Sequence, residues 1–283
     1  MEDNNEIQLD QLTSFKDINE ILKFFTSGAI FIFKMNLIGI YLTGSLSYDA
    51  FHYDRSDIDL TVILKTPITA TELEAIKNFH KQIENKFDKW AKRLECTYTP
   101  LEMLPSILPP KKPRPWYWGG ERILYEEAPY GNEWIINNYL LYHYAIPLIG
   151  PDFKELVGPI DIEEVQKACI RDLFTEWKPK TACKEWLDDS HNESYLILNL
   201  CRILYTVICK TAGSKDAAAA WVRNNYRAWA ELIDSADHWH YGIKLNVRAK
   251  TIEFLGFVID QVVRTELYYR MRNEVNSLRT QRA

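Results

Sequence analysis

One stretch, Asp57-Ile-Asp-Leu-Thr-Val-Ile-Leu64, constrains the fold of this chain more than any other. Its alternation places Ile58, Leu60, Val62 and Leu64 on one face of a β-strand, with Asp57, Asp59 and Thr61 on the other. A strand with one wholly apolar face needs a helical or sheet layer to cover it. The flanking sequence predicts that layer. Ser14-x-x-Asp17 reads as a helix start, followed by Ile18, Ile21, Leu22 and Phe25 at helical spacing. Leu37 to Leu42 reads as a buried strand ended by Gly44-Ser45, and Leu94 to Thr99 as a third strand. Between them Thr71-x-x-Glu74 has the form of a capping box, and Leu73, Ile76, Phe79, Ile83, Phe87 and Trp90 recur at helical spacing. The first half is therefore expected to be an α/β layer, in the order helix, strand, strand, helix, strand.

Residues 105–115 hold five prolines and are expected to form a surface loop. The punctuated run from Ile149-Gly-Pro to Val157-Gly-Pro marks a domain boundary, giving an α/β domain over 1–157 and an all-α domain over 158–283. The second domain is expected to hold helices over 161–176, 192–210, 214–224, 227–237 and 246–273. A length of 283 residues suits two modest domains, and 47% hydrophobic with 26% charged residues excludes disorder for most of the chain. A net charge of -5 argues against a broad basic face for duplex nucleic acid, so no nucleic-acid partner is expected. Cys96, Cys169, Cys183, Cys201 and Cys209 are odd in number and form no C-x-x-C pair, which fits reduced thiols in a cytoplasmic protein. The start, Met1-Glu-Asp-Asn-Asn-Glu6, lacks the basic segment of a signal peptide. The apolar run from Ala29 to Leu42 is broken by Lys34 and Asn36 and is too short to cross a bilayer, so no membrane partner is expected.

The chemistry is expected at the carboxylates. Residues two apart on a strand share a face about 7 Å apart, and like charges there repel unless something compensates. A divalent cation does so with oxygen ligands. Glu95, flanked by Leu94 and Cys96, would bring a third carboxylate to the same face if its strand lies beside the first. Three such groups suit two-metal phosphoryl chemistry. A D-x-D pair alone is ordinarily a solvated strand end. Here a strand closing in Gly44-Ser45 precedes it by eleven residues, and such a turn offers backbone N–H groups and a hydroxyl to a phosphate.

The segments Tyr41-Leu-Thr-Gly44-Ser45 and Ser56-Asp57-Ile58-Asp59-Leu60 resemble the signature of the DNA polymerase β-like nucleotidyltransferase superfamily. Further segments resemble its aminoglycoside 3''/9-adenylyltransferase branch, which modifies streptomycin and spectinomycin. They are Leu148-Ile-Gly-Pro-Asp-Phe-Lys-Glu-Leu156, Asn199-Leu-Cys-Arg202-Ile-Leu-Tyr205, and Ser214-Lys215-Asp216 running on to Trp221. The likeness covers roughly residues 35–235. It implies an α/β nucleotidyltransferase domain, then a helical bundle, with the active site in the cleft between them. It implies that AMP passes from MgATP to an antibiotic hydroxyl, giving resistance, and that the protein works as a monomer. By the same resemblance Asp57, Asp59 and Glu95 would hold two Mg2+ ions, and Glu95 would be the base. Gly44, Ser45, Arg202 and Lys215 would contact ATP, while Trp134 and Asp188 would contact the drug. Arg202 also lies on a polar stripe with Tyr195, Asn199 and Thr206 along an otherwise apolar helix, so a carboxylate partner within the helical domain is an alternative for it. Asn192 and Tyr195 stand where the family carries an acidic residue and a polar partner. The residues leave open another acceptor, a protein or an RNA end, and a non-catalytic nucleotide-binding role.

Overall fold

A computed structural model describes residues 11–104 and 106–281; the acidic residues 1–10, Pro105, Arg282 and Ala283 lie outside the described residues. The chain divides into two units, one of residues 1–131 and 137–159, the other of 132–136 and 160–283.

The first unit is built on a six-stranded mixed sheet. Its elements are helix α1 (Lys16–Phe33), β1 (Leu37–Thr43), β2 (Ile58–Leu64), α2 (Ala70–Lys86), a one-turn α3 (Asp88–Ala91), β3 (Leu94–Pro100), β4 (Arg114–Trp118) and β5 (Ile123–Ala128). They are followed by α4 (Glu133–Tyr144), β6 (Ile146–Ile149) and a short α5 (Phe153–Leu156). The strand order is β5-β4-β3-β2-β1-β6. Only β2 and β3 run parallel, with α2 between them in the chain, and every other neighbouring pair is antiparallel. One sheet face carries Ile40, Leu42, Ile58, Leu60, Val62, Leu94, Cys96, Tyr98 and Tyr117, all at most 2% exposed. These join Ile18, Ile21, Leu22 and Phe25 of α1 and Ile76, Phe79 and Ile83 of α2 in a single core. That burial commits the register, because a one-residue slip in β2 would turn Asp57 and Asp59 into this core.

The structure corrects several expectations. Ser14 caps nothing; α1 starts after Phe15, and Asn19 accepts from the Thr13 backbone N–H at 2.9 Å and hydroxyl at 2.8 Å. Asp17 instead accepts hydrogen bonds from Tyr53 and the Trp90 indole, each at 2.7 Å. The capping box of α2 is Thr69 with Glu72, two residues before the expected pair. The loop expected over 105–115 ends early, because β4 begins at Arg114. Pro115 is accommodated where the β4–β5 register shifts, between Arg114 and Trp116, the kind of bulge at which a ladder tolerates a missing N–H.

The second unit is helical: α6 (Ile162–Asp172), continued by a wider π turn over Leu173–Trp177 into α7 (Lys178–Lys180), then α8 (Lys184–Leu187) and α9 (Ser190–Cys209). It goes on with α10 (Lys215–Asn225), α11 (Ala230–Asp237), α12 (Arg248–Val263) and α13 (Glu266–Gln281). Helices α6, α10, α11 and α12 pack on α9, whose Leu196, Ile197, Leu200, Cys201 and Leu204 are fully buried. The single helix expected over 246–273 breaks at Arg264–Thr265. Thr265 Oγ1 accepts from the Tyr268 N–H at 3.2 Å and so starts α13. Arg270 of α13 makes a two-pronged contact with Glu163 at 3.2 and 2.9 Å. All five cysteines are free thiols. Among the described residues no helix is long and apolar enough to cross a membrane.

Candidate active site

The sheet face opposite the core carries the carboxylates. Parallel pairing sets Asp59 of β2 directly beside Glu95 of β3, and antiparallel pairing sets Thr43 of β1 beside Asp59 on its other flank. Residues so paired lie on one face about 5 Å apart along the hydrogen-bonding direction. Both carboxylates are half-buried. Asp57 immediately precedes β2, on a loop that Arg93 gathers. The Arg93 guanidinium donates to the Tyr53 carbonyl at 2.7 Å and to the Ser56 carbonyl, and its Nε lies 3.9 Å from the Asp57 carboxylate. The Arg93 carbonyl in turn accepts the Ile58 N–H at 2.7 Å, which locks the first residue of β2.

Gly44 turns the chain out of β1 with φ of +66°, a left-handed value. A Cβ built there would overlap the Asp59 carboxylate, with Asp59 Cγ at 2.8 Å. The turn and the acid are therefore packed against each other, and only glycine leaves the room. Ser45 follows in the turn, and its carbonyl accepts the Ala50 N–H at 3.0 Å. Its hydroxyl makes no hydrogen bond among the described residues. Gly44, Ser45, Asp57, Asp59 and Glu95 are thus gathered at the same ends of β1, β2 and β3.

The donor set is all oxygen, which suits a hard divalent cation. Among the described residues no three His, Cys, Asp or Glu side chains form a ready-made metal cage. Magnesium commonly takes one or two carboxylates and completes its shell with phosphate and water, so these residues fit an ion that arrives with a nucleotide.

The other candidates lie in the helical unit. Arg202 is half-buried on α9 and makes no ion pair or hydrogen bond among the described residues, so the carboxylate partner considered for it is not seen. Lys215 opens α10 behind the N-cap Ser214, and its ammonium sits 4.3 Å from the centre of the Tyr195 ring. Trp134 is only 5% exposed, enclosed rather than open as a ligand wall. Asp188 is exposed, with Arg248 3.6 Å away. The acidic group around it does structural work. Asp189 caps α9 through the His191 and Asn192 N–H groups, and Glu193, 2% exposed, accepts the Val247 N–H at 3.1 Å.

A mixed sheet with the Gly-Ser turn and facing acids at its carboxylate edge defines a nucleotidyltransferase fold. Spectinomycin adenyltransferase from Enterococcus faecialis, solved with ATP and spectinomycin, shares it with a TM-score of 0.64. The likeness covers 89% of this chain and 100% of that one at 19% identity. Residues 155–279 match the model of the aminoglycoside adenylyltransferase C-terminal domain. Over 256 residues the chain is 25% identical to a spectinomycin 9-adenylyltransferase of Campylobacter jejuni, across 86% of this chain and 93% of that protein. Over most of its length the chain is thus similar to aminoglycoside adenylyltransferases.

Proposed function

We propose that the protein transfers AMP from MgATP to a hydroxyl of an aminocyclitol or aminoglycoside antibiotic and so confers resistance. Spectinomycin is the first acceptor to test and streptomycin the second. The observation that carries the reading is the direct pairing of Asp59 with Glu95 beside the Gly44-Ser45 turn. The acceptor hydroxyl attacks the α-phosphorus, the bond to the bridging oxygen of the β-phosphate breaks, and pyrophosphate leaves with the electron pair. Glu95 takes the hydroxyl proton as the new P–O bond forms, a role for a carboxylate within hydrogen-bond reach of the hydroxyl. Asp57 and Asp59 are assigned to hold the metal, with Glu95 completing the set; magnesium held there would neutralise charge developing on the α-phosphate. Gly44 and Ser45 receive the outer phosphates through N–H groups and the hydroxyl. Arg202 and Lys215 are assigned to the triphosphate, and Trp134 and Asp188 stand as acceptor candidates by family resemblance.

The test is to incubate the protein with ATP labelled at the α-phosphate and with spectinomycin, streptomycin, a protein mixture or RNA, and to follow the label. Label on an antibiotic is the expected result. Label on protein or RNA alone would move the activity to another acceptor, and no transfer to any acceptor would overturn it.

A further inference from the structure

Asp57 stands on a loop, residues 49–57, that joins the Gly44–Tyr48 turn to β2 and contains no strand or helix. Its own bonds close a tight turn. The Arg55 and Ser56 N–H groups donate to the His52 carbonyl at 3.1 and 2.8 Å, and the His52 N–H donates to the Ser56 hydroxyl at 2.9 Å. Groups outside the loop seat that turn on the sheet unit. The Tyr53 ring lies 5.1 Å from Phe15, just before α1, and 5.3 Å from Trp90 of α3. Phe51 lies 5.4 Å from Phe15, and the Lys89 ammonium covers the Tyr53 ring at 3.7 Å. Asp17, in the first turn of α1, joins the set. Its Oδ2 accepts both the Tyr53 hydroxyl and the Trp90 indole N–H, each at 2.7 Å, while its Oδ1 accepts the Ile18 N–H at 3.1 Å.

An acid in the first turn of a helix ordinarily serves that helix, facing its free N–H groups. Asp17 turns its second oxygen to the loop instead. Trp90 is 3% exposed, and a buried indole N–H needs an acceptor, which accounts for one of the two bonds. It does not account for the other, since the hydroxyl of half-buried Tyr53 could bond to water. Burial raises the pKa of Asp17, but the Tyr53 and Trp90 bonds and the Lys89 charge outweigh it and hold the carboxyl below its ordinary value. The two donors are the two supports of Asp57. Tyr53 lies four residues before it on the loop. Trp90 carries Arg93, whose Cζ is 4.8 Å from the ring centre and whose guanidinium holds the Tyr53 and Ser56 carbonyls. A carboxylate that orients a metal ligand through bonded neighbours tunes metal affinity without touching the ion.

We propose that Asp17 is a positioning residue for the metal site: by tying Tyr53 to Trp90 it fixes the loop that presents Asp57 beside Asp59. The assignment rests on Asp57 holding the metal in the proposed transfer. The first turn of α1 is then part of the device that sets the metal ligands, and Asp17 acts on the ion through Tyr53 and the loop.

The experiment is Mn2+ binding in the presence of a non-hydrolysable ATP analogue, read as free Mn2+ by paramagnetic resonance. It compares the wild-type chain with Asp17→Ala, Asp17→Asn, Tyr53→Phe and the double variant of Asp17→Ala with Tyr53→Phe. A thermal melt of each sets a temperature at which all are folded. Asp17→Ala is expected to weaken Mn2+ binding about tenfold, the lower end for loss of a group that orients a metal ligand. Asp17→Asn should recover most of that, because an amide oxygen can accept both bonds. Tyr53→Phe keeps the ring and loses the hydroxyl, and should cost about fivefold, the equivalent of one hydrogen bond. The double variant should bind no more weakly than Asp17→Ala, since both changes break the same contact. Wild-type affinity in a folded Asp17→Ala protein would overturn the positioning role and leave the metal site standing. Losses that simply add in the double variant, or an equal loss in Asp17→Asn, would overturn it as well. If Asp17→Ala does not fold, Tyr53→Phe decides: the fivefold loss supports the role, and wild-type affinity overturns it. A wild-type protein that binds no Mn2+ beside the nucleotide overturns the metal reading itself, and the role of Asp17 with it.

Discussion

The carboxylate of Asp59 occupies the space that a side chain at Gly44 would fill. The turn leaving β1 and the acid on β2 are therefore one unit, and the glycine serves two physical ends. It permits the left-handed φ of +66°, and it lets the acid lie against the turn that receives phosphate.

Gly44→Ala is expected to fail on both counts. A left-handed alanine costs about 1–2 kcal/mol, and the methyl displaces the Asp59 carboxylate. Urea unfolding should show the loss in stability, and transfer activity should fall by more than stability explains when measured at a temperature where the variant is fully folded. Normal turnover in a folded Gly44→Ala protein would sever the turn from the acid.

Arg93 stands to Asp57 as Gly44 stands to Asp59. Its fork spans two loop carbonyls, its Cζ lies 4.8 Å from the centre of the Trp90 ring, and Trp90 is itself tied to Asp17. Lysine has no fork, so Arg93→Lys can satisfy one carbonyl and leaves the other unmet. We expect Mn2+ affinity in the presence of ATP to drop about tenfold, the lower end for loss of a group that orients a metal ligand. Paramagnetic resonance of free Mn2+ reads this without turnover. Unchanged affinity would show that the loop holds Asp57 without Arg93.

Glu95→Gln keeps the size and the β2–β3 pairing while removing the base. ATP binding by calorimetry should persist, and turnover should fall about a hundredfold or more, the range for loss of a general base. Near-normal turnover would remove Glu95 from that role.

The sheet unit was legible where burial is one-sided or complete. Strands β1 and β2 announce themselves because their core faces are unbroken runs of Ile, Leu and Val, β3 because buried Leu94, Cys96 and Tyr98 alternate with polar residues, and the facing acids follow from the period of two. The β4–β5 hairpin was hidden by its composition: Arg114 and Pro115 open it, and Glu126 and Glu127 close it, so it reads as loop. The available signal was Trp116-Tyr-Trp118-Gly-Gly120, an unbroken aromatic run ended by a glycine pair, which is a hairpin mark. Without β4, nothing in the string sets Trp118 beside Glu95, and Trp134, named by family resemblance, has an enclosed ring. In the helical unit the acids before α9 look alike as a string, and only the fold separates the cap Asp189 and the buried Glu193 from the exposed Asp188.

Asp172 gives a last prediction, in the helical unit. It ends α6 where the helix widens into the π turn, and its carboxylate accepts the Trp177 indole N–H at 2.6 Å. Burial is the main force on it and pushes its pKa up to about 7; Glu133 and Glu176 add to the rise, while the Trp177 bond and Lys180 oppose it. A carboxyl raised in the folded state holds its proton more tightly there than in the unfolded chain. Stability therefore falls as pH rises from the ordinary aspartate value of 3.8 toward about 7, and is level above that. Asp172→Asn stays neutral and still offers an oxygen to Trp177. Its advantage over the wild-type protein should be small near the bottom of that window, grow through it, and reach its full size, on the order of a few kcal/mol, in mildly alkaline buffer. Thermal melts of both proteins across this range measure the difference. An advantage that does not change with pH would mean that Asp172 titrates like a solvated carboxylate and that the π turn holds no buried acid.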